Sequence, residues 1–448
     1  MKKNRLTFGA GLALAVMAVI AVPALVGCKK ADDAGAVKVL NYFDMTMSNS
    51  SDEITTVWNA FSDANPDIKI VREDLFNEPF HNKVEAYAAS GQIPDVIYAW
   101  PSGRSTTLHT KRLLKDLSSL AARDGLQDGM IQGSLDPSLQ GGGYIAIIPR
   151  AMTSSHAFYV NNEVLADCGL QPAKTYAELK AQVPVLKAKG YDTVLMSNQE
   201  TWVMQSCLFS LIAGRFGGAN WADDILSGKS KFTDKNFVDA LNFVKTLYDD
   251  GVLSKNTLST GYGDVIGQFA NNKGAYLVDG DWRIGAFITD KTTGQAAISA
   301  EKQQNIQITV FPTIEGAQLN GSTSVILGTG WGMNASIPEG SEKEEAAWKL
   351  IKWLSGKEVQ TWLLETGGIA TPTRSDIDVA SLNLEPMQVA GSLLTTQYTT
   401  GTPVIDGVFA GDVYTPLNDG MQEIGLGTKT PEQVAESVQK AYEAWLNK

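Results

Sequence analysis

The sequence predicts an α/β protein in which a mostly parallel sheet is covered by helices. Strand-like runs at residues 37–43, 68–71 and 95–98 alternate with helical periodicity around residues 54–61 and 84–89. This order is typical of parallel sheets, because parallel strands need a crossover connection that is usually a helix. The chain of 448 residues is 44% hydrophobic and 19% charged, which leaves room for two lobes with cores of their own.

Strand and helix signals continue along the chain. Residues 144–148 and 157–160 are strand-like and flank a polar stretch at residues 149–155. Further elements are expected as helices at residues 176–189, 202–213, 237–248, 341–356 and 434–445 and as strands at residues 275–278 and 306–310. Ligands of open α/β sheets bind beyond the carboxyl ends of the strands, so the loops that follow strands are the places to search for a site.

The N-terminus has the layout of a secretion signal. Three basic residues among the first five precede an uncharged run at residues 6–26, as in a basic region followed by an apolar one. The run ends in Leu-Val-Gly-Cys at residues 25–28, which resembles the bacterial lipobox, whose cysteine is lipidated after cleavage. We therefore expect a signal peptide at residues 1–27, lipid on Cys28 and a tether at residues 28–36. A transmembrane anchor is the alternative.

The net charge makes nucleic acid a poor partner for the chain. Its 37 basic and 49 acidic residues give −12, which becomes −15 without the leader, and a surplus of this sign repels a phosphate backbone. Three Cys and three His offer little material for a metal centre or a disulfide framework. Cys168 and Cys207 form either a disulfide or two buried thiols, and the sequence leaves both open.

Sequence motifs of common enzymes are absent. There is no Gly-x-Ser-x-Gly elbow, His-Glu-x-x-His or Cys-x-x-Cys, and the Gly-Lys-Ser at residues 228–230 lacks the preceding glycine of a phosphate loop. We therefore expect no enzyme, no cofactor and no metal. A secreted carbohydrate-active hydrolase stays an alternative, because its two carboxylates would be assembled in space and would leave no motif.

Tryptophans outside the helical patterns are candidates for a binding site. Of the ten tryptophans, those in helical patterns are expected to pack in cores: Trp58, Trp348, Trp353, Trp362 and Trp445. Four others stand at a strand end, a loop or a loop-to-helix junction: Trp100, Trp202, Trp282 and Trp331. An indole offers a broad apolar face and a single donor, which suits sugars, whose flat C–H patches are ringed by hydroxyl groups.

Charged side chains accompany these tryptophans. Asp44 follows the first strand, and Arg104, Glu200 and Asp281 lie close to tryptophans in sequence. Carboxylates accept hydrogen bonds from hydroxyl groups, and Arg donates through a planar fork. With the four tryptophans they form the predicted ligand-binding set, although each charge alone could equally be a cap or a solvated surface group.

Several segments have an order and spacing that point to one family. They are Ile-Pro-Asp-Val-Ile-Tyr-Ala-Trp at 93–100, Ile-Pro at 148–149 through Tyr-Val-Asn at 159–161, Asn-Lys-Gly-Ala-Tyr at 272–276 leading to Gly-Asp-Trp at 280–282, the strand at 308–313, Gly-Thr-Gly-Trp-Gly-Met at 328–333, the helix at 341–356 and Gly-Gly-Ile-Ala-Thr-Pro at 367–372. In these segments the chain resembles the extracellular solute-binding proteins of sugar-uptake ABC transporters, the group that contains maltose-binding protein. The likeness runs from about residue 37 to residue 448.

The resemblance implies a two-lobe periplasmic-binding-protein-like fold of type II, with ligand held in a cleft between hinge-connected lobes. The N-lobe would comprise residues 37–152 and about 330–380, and the C-lobe residues 153–329 and about 381–448. The chain would cross between the lobes near residues 149–155, near 325–330 and between 374 and 391.

The resemblance also implies roles for individual residues. Trp100 and Arg104 match residues that touch sugar in the maltose-binding relative, and Trp282 matches an aromatic platform. Glu200 and Trp202 fall in the loop that supplies a Glu and an aromatic residue.

Three positions depart from the relative. Asp44 corresponds only loosely to its first-strand Asp, Gly103 stands where it has an acidic residue, and Thr153 stands where it has a Glu near the first hinge. Maltose itself is therefore not carried over as the ligand.

The implied function is capture of a mono- or oligosaccharide and its delivery to the permease subunits of an ABC importer. The protein would act as a monomer outside the cytoplasm, held at the cell membrane through lipid on Cys28, with ATP used by a partner. A non-sugar solute is the alternative. A polyamine would need several acidic groups in the cleft, and the surplus of carboxylates keeps that open.

Overall fold

The computed structural model describes residues 35–43, 50–324, 326–398 and 401–447. The predicted signal peptide, Cys28 and Asp44 lie outside these ranges. Within them, no helix is long and apolar enough to cross a membrane.

Strands and helices alternate along the chain. The strands are β1 (Val37–Tyr42), β2 (Ile70–Leu75), β3 (Val96–Ala99), β4 (Ile147–Pro149), β5 (Ala151–Thr153), β6 (Ala157–Asn161), β7 (Asp192–Leu195), β8 (Gly274–Asp279), β9 (Ile306–Thr309), β10 (Ile326–Leu327), β11 (Gly330–Met333) and β12 (Thr371–Pro372). The helices are α1 (Ser50–Glu53), α2 (Ala60–Ala64), α3 (Glu78–Ser90), α4 (Thr106–Thr110), α5 (Ser118–Arg123), α6 (Asn162–Asp167), α7 (Tyr176–Ala188), α8 (Ser210–Gly217), α9 (Trp221–Leu226), α10 (Lys235–Asp249), α11 (Asp264–Ala270), α12 (Ala300–Gln303), α13 (Glu342–Leu354), α14 (Lys357–Glu365), α15 (Pro386–Gln397), α16 (Ile405–Val408), α17 (Gly411–Leu426) and α18 (Pro431–Leu446). A π-helical segment, Ile54–Asn59, joins α1 to α2, and a second, Met204–Phe209, leads into α8.

The first sheet has the strand order β2-β1-β3-β11-β4 in the described residues. β1 pairs in parallel with β2 and β3, as the β–α–β–α–β pattern predicts. A hydrophobic core joins this sheet to the helices that cover it, with Ile97 of β3, Phe61 of α2, Val84 of α3 and Trp348 of α13 among its members. We call the sheet and this core the first lobe.

The second sheet has the order β7-β8-β6-β9 in the part of the chain that the structure describes. Successive residues of β6 face opposite sides: Phe158 and Val160 pack in one core, and Ala157 and Tyr159 in another. This alternation follows from the two-residue period of a strand. Both faces of the sheet are therefore covered, and we call the sheet with its two cores the second lobe.

A small sheet, β10-β5-β12, lies where the chain passes between the two larger sheets. β5 follows β4 of the first sheet and precedes β6 of the second, and β10 lies on the return from β9 to β11. Both β10 and β12 pair antiparallel with β5. The connections between the lobes thus run side by side and are hydrogen-bonded to one another.

The expectation of a mostly parallel arrangement is wrong beyond the first strands. In the described chain, parallel ladders join β1 to β2, β1 to β3 and β7 to β8, whereas the other ladders are antiparallel. The physical reason is topological. β11 returns from the second lobe and enters the first sheet between β3 and β4, and a strand that arrives in this way is not bound by the crossover rule for consecutive parallel strands.

The two cysteines of the described chain are both free thiols. Cys207 is buried and belongs to a core of the second lobe, and Cys168 packs against the same core while partly exposed. Of the two alternatives that the sequence leaves open, the structure has the unpaired one.

Candidate functional site

A cavity of about 640 Å³ lies between the two lobes. The first lobe contributes Phe76, Arg150 and Trp362, and the second contributes Trp282 and Thr289. Ligand pockets are commonly about 300–1,000 Å³ in volume and combine apolar walls with a few polar groups. The cavity has the size and composition of a small-molecule site.

Trp282 is the tryptophan of the predicted set that lines the cavity. It lies in a 3-10 turn, Asp281–Ala286, directly after β8. Its ring covers Gly280, where a Cβ atom would come within 2.3 Å of the indole, and its Nε1 donates to the Tyr262 hydroxyl at 2.9 Å. The glycine and the tyrosine together fix the orientation of the indole.

A ring cluster surrounds Trp282 on the second lobe. Trp202 lies 6.1 Å from Trp282 and 5.2 Å from Tyr262, measured between ring centroids. The guanidinium of Arg283 stacks on Tyr262 at 3.6 Å and forms an ion pair with Asp279 at 2.7 Å. A buried charge pair thus supports the ring that holds the Trp282 indole.

Glu200 and Trp202 carry polar atoms without protein partners. Oε1 of Glu200 accepts from the Tyr262 amide at 3.1 Å. Among the described residues, its Oε2 and Nε1 of Trp202 are buried and have no hydrogen-bond partner. Buried polar groups are normally paired, so an acceptor and a donor here remain for water or a ligand.

On the first lobe, aromatic rings follow the ends of β1 and β3. Trp100 lies 4.9 Å from His81 and 5.3 Å from Tyr42, and Tyr42 lies 5.0 Å from Phe76 at the cavity. Burial, together with the charge of Arg104, lowers the pKa of His81 to about 3. The imidazole is therefore a neutral member of the ring cluster at physiological pH.

Arg104 is engaged by protein groups. Its Nε donates to Oδ2 of Asp406 at 2.8 Å, and its Nη1 donates to Nε2 of His81 at 3.0 Å. The guanidinium also lies 5.6 Å from the Trp202 ring across the cleft. Burial alone would lower the pKa of Arg104, but the Asp406 carboxylate holds it above the ordinary range.

Asp281 faces the connection between the lobes. Its Oδ2 accepts from the Ser154 amide at 2.8 Å, and its own amide donates to the Ser154 carbonyl at 2.9 Å. Ser154 in turn is bonded through its hydroxyl to Thr323 at 2.6 Å, beside the second connection. The side chain is 3% exposed, and burial raises its pKa to about 7.

Trp331 lies in the core of the first sheet. It is 3% exposed on β11, with its ring 5.7 Å from Trp58 and 5.2 Å from Tyr98, both edge to face.

Of the predicted ligand-binding residues, the structure brings five together around the cleft: Trp100, Arg104, Glu200, Trp202 and Trp282. Asp281 lies at the connection, Trp331 lies in the core, and Asp44 is outside the described residues.

Sequence reasoning missed several residues of the site. Glu53 and Arg150 line the cavity, with Phe76 and Trp362 beside them. Burial raises the pKa of Glu53, and the Arg150 charge opposes this rise. Arg150 stands in the polar stretch between two predicted strands, and this position could have indicated a place at the site. The helical pattern around Trp362 predicts only that it packs in a core. It contacts the first core and also faces the cavity.

No cluster of three or more His, Cys, Asp or Glu side chains suited to a metal ion occurs in the described ranges. The groups at the cleft are instead aromatic rings, carboxylates and guanidinium groups. This set can bind a polar neutral molecule through stacking and hydrogen bonds.

Residues 48–361 match the sequence profile of the bacterial extracellular solute-binding proteins. The chain belongs to this family. A curated relative, the multiple sugar-binding protein of Streptococcus mutans serotype c (strain ATCC 700610 / UA159), is 26% identical over 132 residues. That match covers 29% of this solute-binding protein and 31% of the relative's length.

Solved structures share the fold of this solute-binding protein over nearly the whole chain. One, from work on xylan utilisation by the thermophilic bacterium Caldanaerobius polysaccharolyticus, has a TM-score of 0.79 at 21% identity and covers 90% of this chain and 99% of its own. A chitin oligosaccharide binding protein has a TM-score of 0.80 at 20% identity and covers 92% and 99%. The predicted two-lobe binding-protein fold is confirmed.

Proposed function

We propose that this solute-binding protein captures a mono- or oligosaccharide in its interlobe cleft and delivers it to the permease of an ABC importer. The observation that carries the proposal is the cavity of about 640 Å³ with the Trp282 indole on one side and Phe76 and Trp362 on the other. Flat rings on opposing walls suit the apolar faces of pyranose units. A multiple sugar-binding protein and a chitin oligosaccharide binding protein are among the similar proteins, which supports a sugar as the ligand.

The proposed ligand contacts divide into platforms and hydrogen-bonding groups. Trp282 is the main platform, with Trp202 beside it on the second lobe and Trp100 as a further ring on the first lobe. Oε2 of Glu200 would accept from a sugar hydroxyl, and Nε1 of Trp202 would donate to one, since both are buried without protein partners in the described chain. A hydrogen bond to a charged group contributes about 1.5–3 kcal/mol, so a few such contacts suffice for micromolar affinity.

The charges at the cavity favour a neutral sugar over a polyamine. Glu53 is accompanied there by Arg150, and Asp290 by Lys291. A polyamine site needs a local excess of carboxylates, because each ammonium group requires a partner when desolvated. Lining charges of both signs instead offer donors and acceptors to hydroxyl groups.

The lobes of the proposal are those expected from the sequence, residues 37–152 with about 330–380 and residues 153–329 with about 381–448. The small sheet β10-β5-β12 would act as the hinge, because the connections between the lobes meet in it. Short segments that join two packed bodies are where domain closure is absorbed.

The protein would be a lipoprotein anchored through Cys28 outside the cytoplasm. The lipobox at residues 25–28 supports this proposal, as does membership of a family of extracellular proteins. Tethering would keep the protein near its permease, since a cysteine that carries more than one acyl chain anchors stably.

A thermal-shift screen against a sugar panel tests the function. The panel contains monosaccharides, xylo-, chito- and malto-oligosaccharides, and spermidine as the non-sugar solute. A ligand at a hundred times its Kd stabilises the folded state by about 2.7 kcal/mol, so a true ligand raises the thermal midpoint. The bound sugar should be recovered chemically intact after long incubation, which separates a binding protein from a hydrolase.

Substitution of the platform makes the test specific. Trp282→Ala removes ring burial of about 1.5–3 kcal/mol and should weaken the best ligand about ten- to a hundredfold in calorimetry. Trp445→Ala, on helix α18 away from the cavity lining, is the matched control and should bind normally. A midpoint raised by spermidine alone, or wild-type affinity in Trp282→Ala, would contradict the proposal.

A further inference from the structure

An ion pair crosses the cleft outside the cavity. Arg104 lies on a 3-10 turn, Gly103–Ser105, that leads into α4, whose Leu108 belongs to the core of the first lobe. Asp406 lies on α16 beside Ile405, which belongs to a core of the second lobe. The two charged side chains are 10% and 9% exposed at an N–O distance of 2.8 Å. The two lobes are therefore joined here by a nearly dry charge pair.

The backbones of the two lobes approach each other closely beside this ion pair. The Ser102 hydroxyl donates to the Gly407 carbonyl at 2.5 Å. Gly103 has φ +45°, and a Cβ atom there would lie 1.6 Å from the Asp406 carbonyl oxygen. Only glycine fits this close approach of the two backbones. We call these five residues, 102–104 with 406 and 407, the Arg104 bridge.

The bridge stands at one end of a track of aromatic rings that reaches the cavity. None of its five residues belongs to the cavity lining, as far as the described chain shows. Ring contacts lead from it to the cavity through Trp202 and Trp282 on the second lobe and through His81, Trp100, Tyr42 and Phe76 on the first. A sugar chain that stacked along these rings from the cavity would meet the bridge.

A second ion pair between the lobes provides a contrast. Lys291, which lines the cavity, pairs with Glu365 at 3.2 Å. These side chains are 45% and 34% exposed, and exposed pairs contribute little to stability. A buried pair resists separation far more, because the charge left behind stays desolvated. A ligand can therefore displace the pair at the cavity more easily than it can open the bridge.

We propose that the Arg104 bridge is a length gate, which closes one end of the cleft so that the site accepts short oligosaccharides or the ends of chains. The inference rests on the proposed sugar-binding function and adds the size class of the ligand. Asp406, Gly103 and Ser102 are then specificity-determining residues, although they need not touch the sugar that fits.

The test measures affinity against chain length. Calorimetry is performed with the series that binds best in the sugar panel, from the disaccharide to the hexasaccharide. For the wild-type protein, Kd should level off at a short chain. Asp406→Ala removes the carboxylate, and Gly103→Ala forces the lobes apart at the bridge by its Cβ atom. In either variant, the ratio of the affinity for the hexasaccharide to the affinity for the disaccharide should be about tenfold higher than in the wild type. This is the effect of one added hydrogen bond to a charged group.

Glu365→Ala is the matched control, because it breaks an ion pair between the same lobes. Its length profile should equal that of the wild type. Thermal midpoints show which of the two bridge variants is folded, and the two disturb the bridge by different means, so one folded variant suffices for the comparison.

The possible results distinguish failure of the length gate from failure of the proposed sugar binding. Wild-type affinity that keeps rising to the hexasaccharide, or equal length profiles in wild type and folded bridge variants, overturns the gate while sugar binding stands. Loss of affinity for every length in Asp406→Ala also overturns it, because Arg104 and Asp406 would then contact the ligand. If no oligosaccharide binds the wild-type protein, the sugar-binding function falls and the gate falls with it.

Discussion

At the scale of single residues, neighbouring carboxylates in the second lobe have different environments. Asp279 is fully buried and paired with Arg283, whereas Asp281, two positions later, is buried and accepts a hydrogen bond from the backbone amide of Ser154. A carboxylate buried among amides is partly stabilised by them and strongly penalised by desolvation. Burial therefore raises the pKa of Asp281 to about 7.

This environment predicts a pH-dependent stability. Burial raises the pKa of Asp281 from 3.8 to about 7 in the folded protein, so the folded state binds a proton that the unfolded state has lost over this interval. The stabilisation is complete below the unfolded pKa and is lost as the pH rises from about 4 to about 7. Urea unfolding of wild type and Asp281→Asn across this range isolates the effect, because the buried histidines contribute equally to both proteins.

The wild-type free energy of unfolding should fall relative to that of the variant as the pH rises, and level off above about 7. A constant difference between the two proteins would mean that Asp281 titrates at its ordinary pKa.

The sequence located some residues of the site and not others for a physical reason. Trp202 and Trp282 stand in loops that follow or precede recognisable elements, so their place beyond the sheet could be inferred. Trp331 also follows a turn-like Gly-Thr-Gly, but it belongs to β11, whose pairing with β3 and β4 buries it. Glu53 and Arg150 reach the cavity only because distant segments fold against each other, and no local pattern carries that information.

At the scale of elements, local periodicity in the sequence predicts where helices lie, but it does not reveal which distant strands pair. The helix expected around residues 84–89 is α3, which ends at Gly91 in the left-handed conformation. The helix expected at residues 176–189 begins with a capping box formed by Thr175 and Glu178. Such signals lie within a few residues of each other. The antiparallel insertion of β11 joins residues far apart in the chain, and its strand pattern alone does not reveal its neighbours.

Close packing of β11 predicts a large effect of a small substitution. A Cβ atom at Gly330 would lie 2.2 Å from the Ile148 carbonyl oxygen, so Gly330→Ala must displace β4 or β11. Overpacking of this kind destabilises proteins by about 1–3 kcal/mol, which urea unfolding can measure. Gly267→Ala, in helix α11 with no atom within 4 Å of the added methyl group, is the control and should gain about 0.5–1 kcal/mol. Equal stability of the two variants would show that the first sheet adjusts without strain.

At the scale of the whole molecule, the fold consists of two lobes and the short strands that join them. Each lobe has its own sheet and core, so it can move as a unit. The connecting sheet is short, with two or three residues in each strand. Short strands offer few hydrogen bonds to resist bending. The hydrogen bonds between Asp281 and Ser154, the residue after β5, hold the second lobe to this connection. Relative motion of the lobes, as proposed, would therefore change the volume of the site.

The last prediction concerns this motion. Trp100 stands on the first lobe, and Trp202 and Trp282 stand on the second, so neither lobe alone encloses a sugar. A ligand shifts an open–closed equilibrium only by its differential affinity for the two forms, and contacts made by both lobes exist only in the closed one. Small-angle scattering should report a smaller radius of gyration with the bound sugar, and tryptophan emission should change because indoles of both lobes lose water together. A sugar from the panel that does not bind is the control. Tight binding that left both the radius and the emission unaltered would mean that the ligand does not bridge the lobes, and the contacts proposed for Trp100, Trp202 and Trp282 would be wrong.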